Sequence, residues 1–174
     1  KNYHPEEHSY SDGNITVISD SADLYIGKFC SIAKGVTIFL GENHHTEWVT
    51  TYPFHIIGDP WSEVKEIDPK QTTKGDVKIG NDVWIGTGAT IMSGSEISDG
   101  AVIGAKSVVA GYIPPYAVAV GNPCRVVKYR FDDKTIIKLL KLQWWNWGLS
   151  DIDKNIKLLC SNKVEKVCTI HIKQ

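Results

Sequence analysis

Aliphatic residues recur at every sixth position through the middle of the chain. From Thr73 the sequence divides into eight blocks of six residues: TKGDVK, IGNDVW, IGTGAT, IMSGSE, ISDGAV, IGAKSV, VAGYIP and PYAVAV. The first position of the six middle blocks is aliphatic, and the fifth position of every block is small or β-branched. The first positions are Ile79, Ile85, Ile91, Ile97, Ile103 and Val109, and the fifth positions are Val77, Val83, Ala89, Ser95, Ala101, Ser107, Ile113 and Ala119.

A period of six residues matches neither regular secondary structure. Every sixth residue of an α-helix lies about 240° away around the axis, and a simple strand alternates with a period of two. A short strand followed by a tight bend does fit, because Gly, Asn or Asp at positions two to four supplies a turn-compatible backbone. Three such blocks make a triangular coil of about 18 residues, and stacked coils pair their strands in parallel about 4.8 Å apart. The pattern therefore predicts a mainly β protein, a parallel β-helix whose first and fifth positions face inward.

The same period occurs earlier in the chain. The blocks IGKFCS and IAKGVT place Ile26, Ile32 and Ile38 at first positions and Cys30 and Val36 at fifth positions. Read generously, residues 14–43 contain five blocks, which gives thirteen blocks, or about four coils, in all. Ile79 follows Ile38 by 41 positions, which is not a multiple of six. We therefore expect an excursion at residues 39–72, within a β-helix domain that covers residues 1–131.

The periodicity changes after the last block. The stretch PPYAVAVGNPCRVVKYRF supplies turn residues, and the apolar positions that follow are spaced as on one face of a helix. Asp132 or Asp133 can cap this helix, and Ser150 and Asp153 have the spacing of a weak capping box for a second helix through Cys160. The apolar face of the first helix contains Ile136, Ile137, Leu139, Leu140 and Leu142. Residues 132–174 are thus predicted to form a C-terminal helical segment and tail.

The excursion is the natural candidate for a functional site. A narrow β-helix has no internal cavity, so a ligand must bind outside it, against loops or between copies of the molecule. Reactive side chains are often found on polar loops that a rigid scaffold holds in place. The loop carries His44, His45, Glu47, Trp48, Tyr52, His55 and Trp61.

Four stretches, taken in order, resemble one known family. GKFCSIAKGVTI, GENHHTEWVTTYPF, the blocks from Gly75 through Phe131, and LLKLQWWNW are similar to the xenobiotic acetyltransferase subfamily of hexapeptide acyltransferases. This subfamily includes chloramphenicol, streptogramin and sugar acetyltransferases, and the resemblance covers residues 24 to about 158. It implies a left-handed β-helix and transfer of an acetyl group from acetyl-coenzyme A. The acceptor it implies is a hydroxyl or amine of a sugar, a nucleotide sugar or an antibiotic.

The resemblance also implies roles for residues of the excursion. In the family motif Gly-x-Asn-His the histidine is the general base, and this position is His44. Imidazole suits that role because its unperturbed pKa near 6.5 leaves it largely neutral, yet basic enough, at neutral pH. Either Glu47 or a backbone carbonyl can orient the ring through its other nitrogen. His45, Trp48 and Tyr52 are expected to contribute to the acceptor site.

Coenzyme A needs a slot for its pantetheine arm and cations for its phosphates. The resemblance places the arm near Trp84, Thr87 and Ala105, and the adenine and phosphates towards Ala110, Arg125 and Lys128. Three alternatives stay open: the tryptophan packs between subunits, the threonine and the alanines are ordinary repeat positions, and the lysine is a solvated charge. The family also implies a homotrimer with each active site between adjacent subunits.

Two rival readings share this scaffold. Trimeric β-helix carbonic anhydrases bind zinc through three histidines, but this chain has no histidine between residues 55 and 171 to supply them. The remaining alternative is a non-catalytic β-helix trimer that acts as an assembly scaffold. GTGATIMSG is not a dinucleotide fingerprint because the six-residue period runs straight through it, so we expect neither a metal nor a nucleotide cofactor.

Composition narrows the partners and the compartment. The 19 basic and 20 acidic residues give a net charge of -1, which argues against binding to nucleic acid or an anionic membrane. No apolar run approaches the roughly 20 residues of a membrane helix, and the first residues lack an apolar signal segment, so we expect a cytoplasmic protein. The four cysteines lie far apart with no C-x-x-C pair and are expected to be free thiols.

Overall fold

The computed structural model describes residues 3–58, 60–67 and 72–170, and these wind into a left-handed parallel β-helix with three walls, as predicted. Wall A contains β1 (Tyr3–Pro5), β4 (Leu24–Ile26), β7 (Val77–Ile79), β10 (Glu96–Ile97) and β13 (Tyr112–Ile113). Wall B contains β2 (Tyr10–Ser11), β5 (Ser31–Ile32), β8 (Trp84–Ile85), β11 (Val102–Ile103) and β14 (Ala117–Val120). Wall C contains β3 (Thr16–Ile18), β6 (Thr37–Phe39), β9 (Thr90–Ile91) and β12 (Val108–Val109).

Strand pairing follows the six-residue blocks. In the central coils each residue pairs with the residue 18 positions further on, as Trp84 does with Val102. The offset between Ser31 and Trp84 is 53 positions instead of 18, because the chain leaves the helix after β6 and returns at β7. The excursion therefore inserts 35 residues at the corner between walls C and A.

The inward-facing positions build the core as predicted. Ile85, Ile91, Ile97, Ile103 and Val109, at first positions, have no exposed surface. The chain turns at the fourth position of the blocks, where φ is positive. That position holds Phe29, Gly35, Asp82, Gly88, Gly94, Gly100 and Lys106. Glycine adopts this backbone conformation at little cost. The three residues that are not glycine, Phe29, Asp82 and Lys106, adopt it in corners that are otherwise regular.

The predicted register is wrong at both ends of the array. Ile113 pairs with Ile97, and Ala119 pairs with Ile103, so both occupy first positions and not fifth positions. The corner after Val109 is two residues shorter than the others, so every later residue lies two positions further along the block pattern than predicted. At the other end the β-helix begins at β1, before the first predicted block, and β1 pairs with β4 at an offset of 21 positions. The described residues thus contain nearly five coils, one more than expected.

Beyond the last coil, the chain first adds one antiparallel strand and then helices. β15 (Arg125–Tyr129) pairs antiparallel with β14 on wall B. In α2 (Asp133–Leu142) the side chain of Asp132 accepts a hydrogen bond from the backbone N–H of Thr135, which confirms the predicted cap. Ile136 and Leu139 pack against Tyr116 at a corner of the last coil. Ile137 was assigned to the same face but is 54% exposed, because it lies one position away from the buried stripe.

A 3₁₀ helix at Trp144–Asn146 leads into α3 (Leu149–Leu159) and then α4 (Val164–Val167). The capping box predicted for the second helix does not form, since the helix begins one residue before Ser150 with Gly148 as its N-cap and no side-chain cap. Trp145 is buried, and Trp144 packs on Phe29. Within the described ranges, every helix is too short or too polar to cross a membrane. The last four residues of the predicted tail, 171–174, lie outside the described residues.

The corner glycines give a matched test of this packing. Gly35 and Gly100 have φ values of +74° and +69°, so alanine at either site costs about 1–2 kcal/mol of left-handed backbone strain. A Cβ atom at Gly100 would lie 2.5 Å from Tyr116 Cε1, whereas at Gly35 the nearest atom is 3.9 Å away. Gly100→Ala should therefore lose about 1–3 kcal/mol more in free energy of unfolding than Gly35→Ala, the usual cost of overpacking. Urea unfolding followed by circular dichroism measures both variants, and equal losses would contradict the packing described for Tyr116.

Candidate active site

The base of the excursion is fixed to the β-helix beside His44. The backbone N–H of Asn43 donates to the Thr72 carbonyl oxygen over 3.1 Å, and the Thr72 hydroxyl donates back to the Asn43 carbonyl oxygen. The Asn43 amide also donates to the hydroxyl of Ser93, a residue 4% exposed at the corner after β9. These bonds join the two ends of the loop to each other and to the next coil, so the backbone at His44 is held by the scaffold.

The His44 ring is oriented by the backbone of its own loop. Its Nδ1 atom lies 2.6 Å from the carbonyl oxygen of Thr51. A carbonyl oxygen only accepts hydrogen bonds, so Nδ1 carries the proton and the Nε2 lone pair is available. The backbone-carbonyl alternative is therefore the one found. The other alternative, orientation by Glu47, is wrong because that carboxylate binds His45.

His45 belongs to a rigid group of side chains beside the base. Its Nδ1 donates to the Glu47 carboxylate over 2.7 Å, and this hydrogen bond holds the pKa of Glu47 below its ordinary value. The imidazole stacks on the indole of Trp48, with ring centroids 3.9 Å apart and planes within 2°. The hydrogen bond and the stacking together hold the ring on the cavity wall.

A cavity of about 290 Å³ opens where these residues meet. His44, His45, Trp48 and Tyr52, all predicted from the sequence, line it together. The remaining lining residues are Glu42, Asn43, Thr50, Thr51, Pro53, His55, Ile56 and Thr72. Aromatic faces, hydroxyls and imidazoles therefore surround one small space, a lining suited to a ligand with both apolar and oxygen-bearing parts.

A second aromatic cluster supports the far side of the loop. Phe54, in α1 (Phe54–Ile57), lies 4.7 Å from Tyr52 and 4.8 Å from Trp61 between ring centroids. A 3₁₀ helix at Ser62–Glu66 follows this contact. The Tyr52 ring is thus held between the cavity and the rest of the excursion.

The residues predicted to bind coenzyme A lie elsewhere on the chain. Trp84 is 56% exposed on the outer face of wall B. It belongs to the row of paired residues that continues through Val102 and Val118 to Lys128. Three strand spacings separate the two ends of this row, about 14 Å. Arg125 lies on the same wall, and its guanidinium donates to the Cys124 carbonyl oxygen.

The other three predicted coenzyme residues lie at corners. Thr87 and Ala105 occupy adjacent coils between walls B and C, where the Lys106 N–H donates to the Thr87 carbonyl oxygen. Ala110 follows β12 at the corner between walls C and A, the corner from which the excursion leaves. All three are exposed. Within one chain, five of the six predicted residues therefore lie away from the corner that carries His44.

Sequence reasoning did not identify two contributors to this site: which backbone carbonyl orients His44, and His55. The Thr51 carbonyl has no side-chain signal, because any residue in its place offers the same oxygen. His55 was visible in the sequence but was not assigned a role, and the structure places it on the cavity wall. In the part of the chain that the structure describes, no three His, Cys, Asp or Glu side chains are grouped so as to hold a metal ion.

Comparison with known proteins places these features in context. A family model described as bacterial transferase hexapeptide (six repeats) matches residues 76–111. Over 139 residues the chain is 46% identical to a probable macrolide acetyltransferase from Lysinibacillus sphaericus, covering 79% of this chain and 77% of that protein. Over 162 residues it is 38% identical to a chloramphenicol acetyltransferase from Klebsiella aerogenes, covering 90% and 77%.

The fold has a counterpart among solved structures. A hexapeptide-repeat acetyltransferase from Vibrio cholerae matches with a TM-score of 0.57 and 20% identity, over 75% of this chain and 64% of that chain. Identity this low supports the architecture alone. The two sequence relatives, by contrast, bear on the activity.

The His44 tautomer can be measured directly. At a pH where the ring is neutral, nitrogen-15 NMR should find the proton on Nδ1 and the lone pair on Nε2, because Nδ1 donates to the Thr51 carbonyl. His8 is a suitable control, since it stacks on Phe29 and no described residue fixes its tautomer by a hydrogen bond. A protonated Nε2 in neutral His44 would contradict the geometry.

Proposed function

The chain belongs to the xenobiotic-type acetyltransferases with hexapeptide repeats, and we propose that it moves the acetyl group of acetyl-coenzyme A to a hydroxyl of a small molecule, with His44 as general base. The membership makes it an acetyl-transferring enzyme. The observation that supports the choice of base is the hydrogen bond from His44 Nδ1 to the Thr51 carbonyl, because it leaves Nε2 of a ring that lines the cavity free to accept a proton.

In the proposed reaction, His44 Nε2 takes the proton of the acceptor hydroxyl while that oxygen attacks the thioester carbonyl. The carbon–oxygen bond forms, the carbon–sulfur bond breaks, and the proton passes from the imidazolium to the departing thiolate. The ring carries a positive charge only between these two transfers, when the Thr51 carbonyl oxygen accepts from its Nδ1–H. The same hydrogen bond therefore fixes the tautomer and stabilises the charged form.

We propose that coenzyme A lies along wall B of a neighbouring subunit in a homotrimer. Trp84, Thr87 and Ala105 would flank the pantetheine arm, and Arg125 and Lys128 would contact phosphates. Ala110 would lie near the adenine. The distribution of these residues supports this proposal, because wall B and the corner that holds His44 are different sides of one chain.

The acceptor is proposed to be an antibiotic or a sugar. The relatives include proteins named as macrolide, chloramphenicol and galactoside acetyltransferases, and the cavity combines aromatic faces with hydroxyls and imidazoles. We place the reaction in the cytoplasm, where acetyl-coenzyme A is available. A thiol-release assay with acetyl-coenzyme A across chloramphenicol, a macrolide, a group A streptogramin and several amino-sugar nucleotides identifies the acceptor. Absence of acetyl-coenzyme A binding by calorimetry would instead favour the assembly-scaffold alternative.

Removal of the base should slow the reaction without unfolding the protein. His44→Ala is expected to lower kcat by about 10²–10⁴-fold, the usual contribution of a general base. His8→Ala, which changes an exposed histidine outside the cavity, should keep full activity. Near-normal turnover by His44→Ala with an unchanged circular dichroism spectrum would refute the assignment.

Mixed trimers test whether two subunits build one site. His44→Ala lacks the base, and Arg125→Glu/Lys128→Glu is expected to bind acetyl-coenzyme A poorly, so each protein alone should be nearly inactive. Co-expressed in equal amounts, the two should recover about a quarter of wild-type activity, because that share of subunit pairs combines an intact base with an intact coenzyme wall. No recovery in trimers shown to contain both chains would contradict a site between subunits.

A further inference from the structure

His55 lies on the wall of the same cavity with an unusual environment. Its Nδ1 atom is sealed from solvent and has no hydrogen-bond partner among the residues that the structure describes. The ring meets Trp48 edge-on with 5.5 Å between centroids, and it meets His45 similarly at 6.2 Å. It also borders a second depression, beside Trp61 and Lys65, so it forms the wall between two open spaces.

The sealed nitrogen determines which tautomer the neutral ring adopts. A proton on Nδ1 would be a buried N–H without an acceptor, and such a donor loses its hydrogen bonds to water without replacement. The proton is therefore on Nε2. This nitrogen is also the only one in the ring that a ligand can reach, because Nδ1 has no open surface.

Both rings line the cavity, and their neutral forms are opposite tautomers. His44 offers a lone pair on Nε2, because its Nδ1–H is used by the Thr51 carbonyl. His55 offers an N–H donor on Nε2, because its Nδ1 is sealed. A molecule that satisfies both must donate a proton at one point and accept a hydrogen bond at another.

We propose that His55 is a specificity-determining residue, whose Nε2–H donates to a second oxygen of the acceptor molecule and so places the reacting hydroxyl at His44. This inference rests on the proposed function. The acceptor class is then a molecule with at least two oxygens, such as a diol or a sugar, of which one is acetylated and the other is held. An ammonium group has no lone pair and cannot occupy the second position.

Three substitutions at one position separate the donor from the shape of the ring. Glutamine places an amide N–H near the position of Nε2, asparagine places it near Nδ1, and phenylalanine keeps the ring contacts without any donor. His55→Gln should keep the acceptor KM within about threefold of wild type. His55→Asn and His55→Phe should raise it about tenfold, equivalent to about 1.4 kcal/mol. In all three variants the KM for acetyl-coenzyme A should stay within about threefold, and kcat should fall far less than in His44→Ala.

An analogue of the acceptor gives an independent measurement. The wild type should discriminate about tenfold between the acceptor found in the thiol-release assay and its analogue that lacks the oxygen nearest the acetylated hydroxyl. His55→Phe should discriminate little, because the donor that reads this oxygen is gone. Equal discrimination by the two proteins overturns the inference, as does nitrogen-15 NMR evidence for a proton on Nδ1 of neutral His55.

Failure of this inference differs from failure of the proposed function. If the wild type releases thiol but His55→Phe and His55→Asn match it in acceptor KM, only the role of His55 is lost. If the wild type releases no thiol with any acceptor, the proposed reaction itself is wrong, and the role of His55 falls with it. Where His55→Phe fails to fold, the comparison of His55→Gln with His55→Asn decides the matter, because both introduce amides of similar polarity.

Discussion

The three walls of the β-helix pack tightly against one another, and this packing determines where the protein can bind a ligand. The inward positions hold aliphatic or small side chains with almost no exposed surface, and successive coils stack so closely that several corner glycines have no room for a Cβ atom. A Cβ at Gly86, for example, would lie 2.6 Å from the backbone nitrogen of Ala105. Such an interior excludes water and ligands alike. The protein can therefore perform chemistry only on its outside.

The excursion places a polar site outside this core, beside the corner between walls C and A. The bonds among Asn43, Thr72 and Ser93 attach its base to two coils, and the Thr51 carbonyl then aims the His44 ring from within the loop. Stacking of His45 on Trp48 restrains a neighbouring wall of the same cavity. The scaffold holds the backbone beside His44, and the loop orients its ring. A change in either the scaffold or the loop would therefore move the proposed base. The position of His44 thus depends on the regular β-helix coils to which the excursion is attached.

The sequence predicted the repeating core and the excursion that interrupts it, but not the irregular corner near the end of the array. The blocks from Ile79 to Val109 predicted the core and the corners, since each block repeats the same geometric demand. The shortened corner before Ile113 was not predicted, because its residues still fit a six-residue pattern. Only the pairing of Ile113 with Ile97 shows that the register changes there. The sequence left open which of two groups orients His44, because a backbone carbonyl leaves no mark in the sequence. The coenzyme residues, whose proposed role depends on a second subunit, remain predictions.

The narrow prism also bears on the assembly. Trp84 and Lys128 face outward from wall B, whereas His44 stands at the corner between walls C and A, and a solid core separates the two. Wall B and the corner that carries His44 lie on opposite sides of the β-helix. Within one chain they cannot both contact the same thioester carbonyl, because the packed core lies between them. A second copy removes the difficulty, because its wall B can approach the corner of the first copy from outside. Dependence on a neighbour is then a consequence of the tight core, and the same packing that makes a single chain stable leaves it, in this proposal, with half of a site.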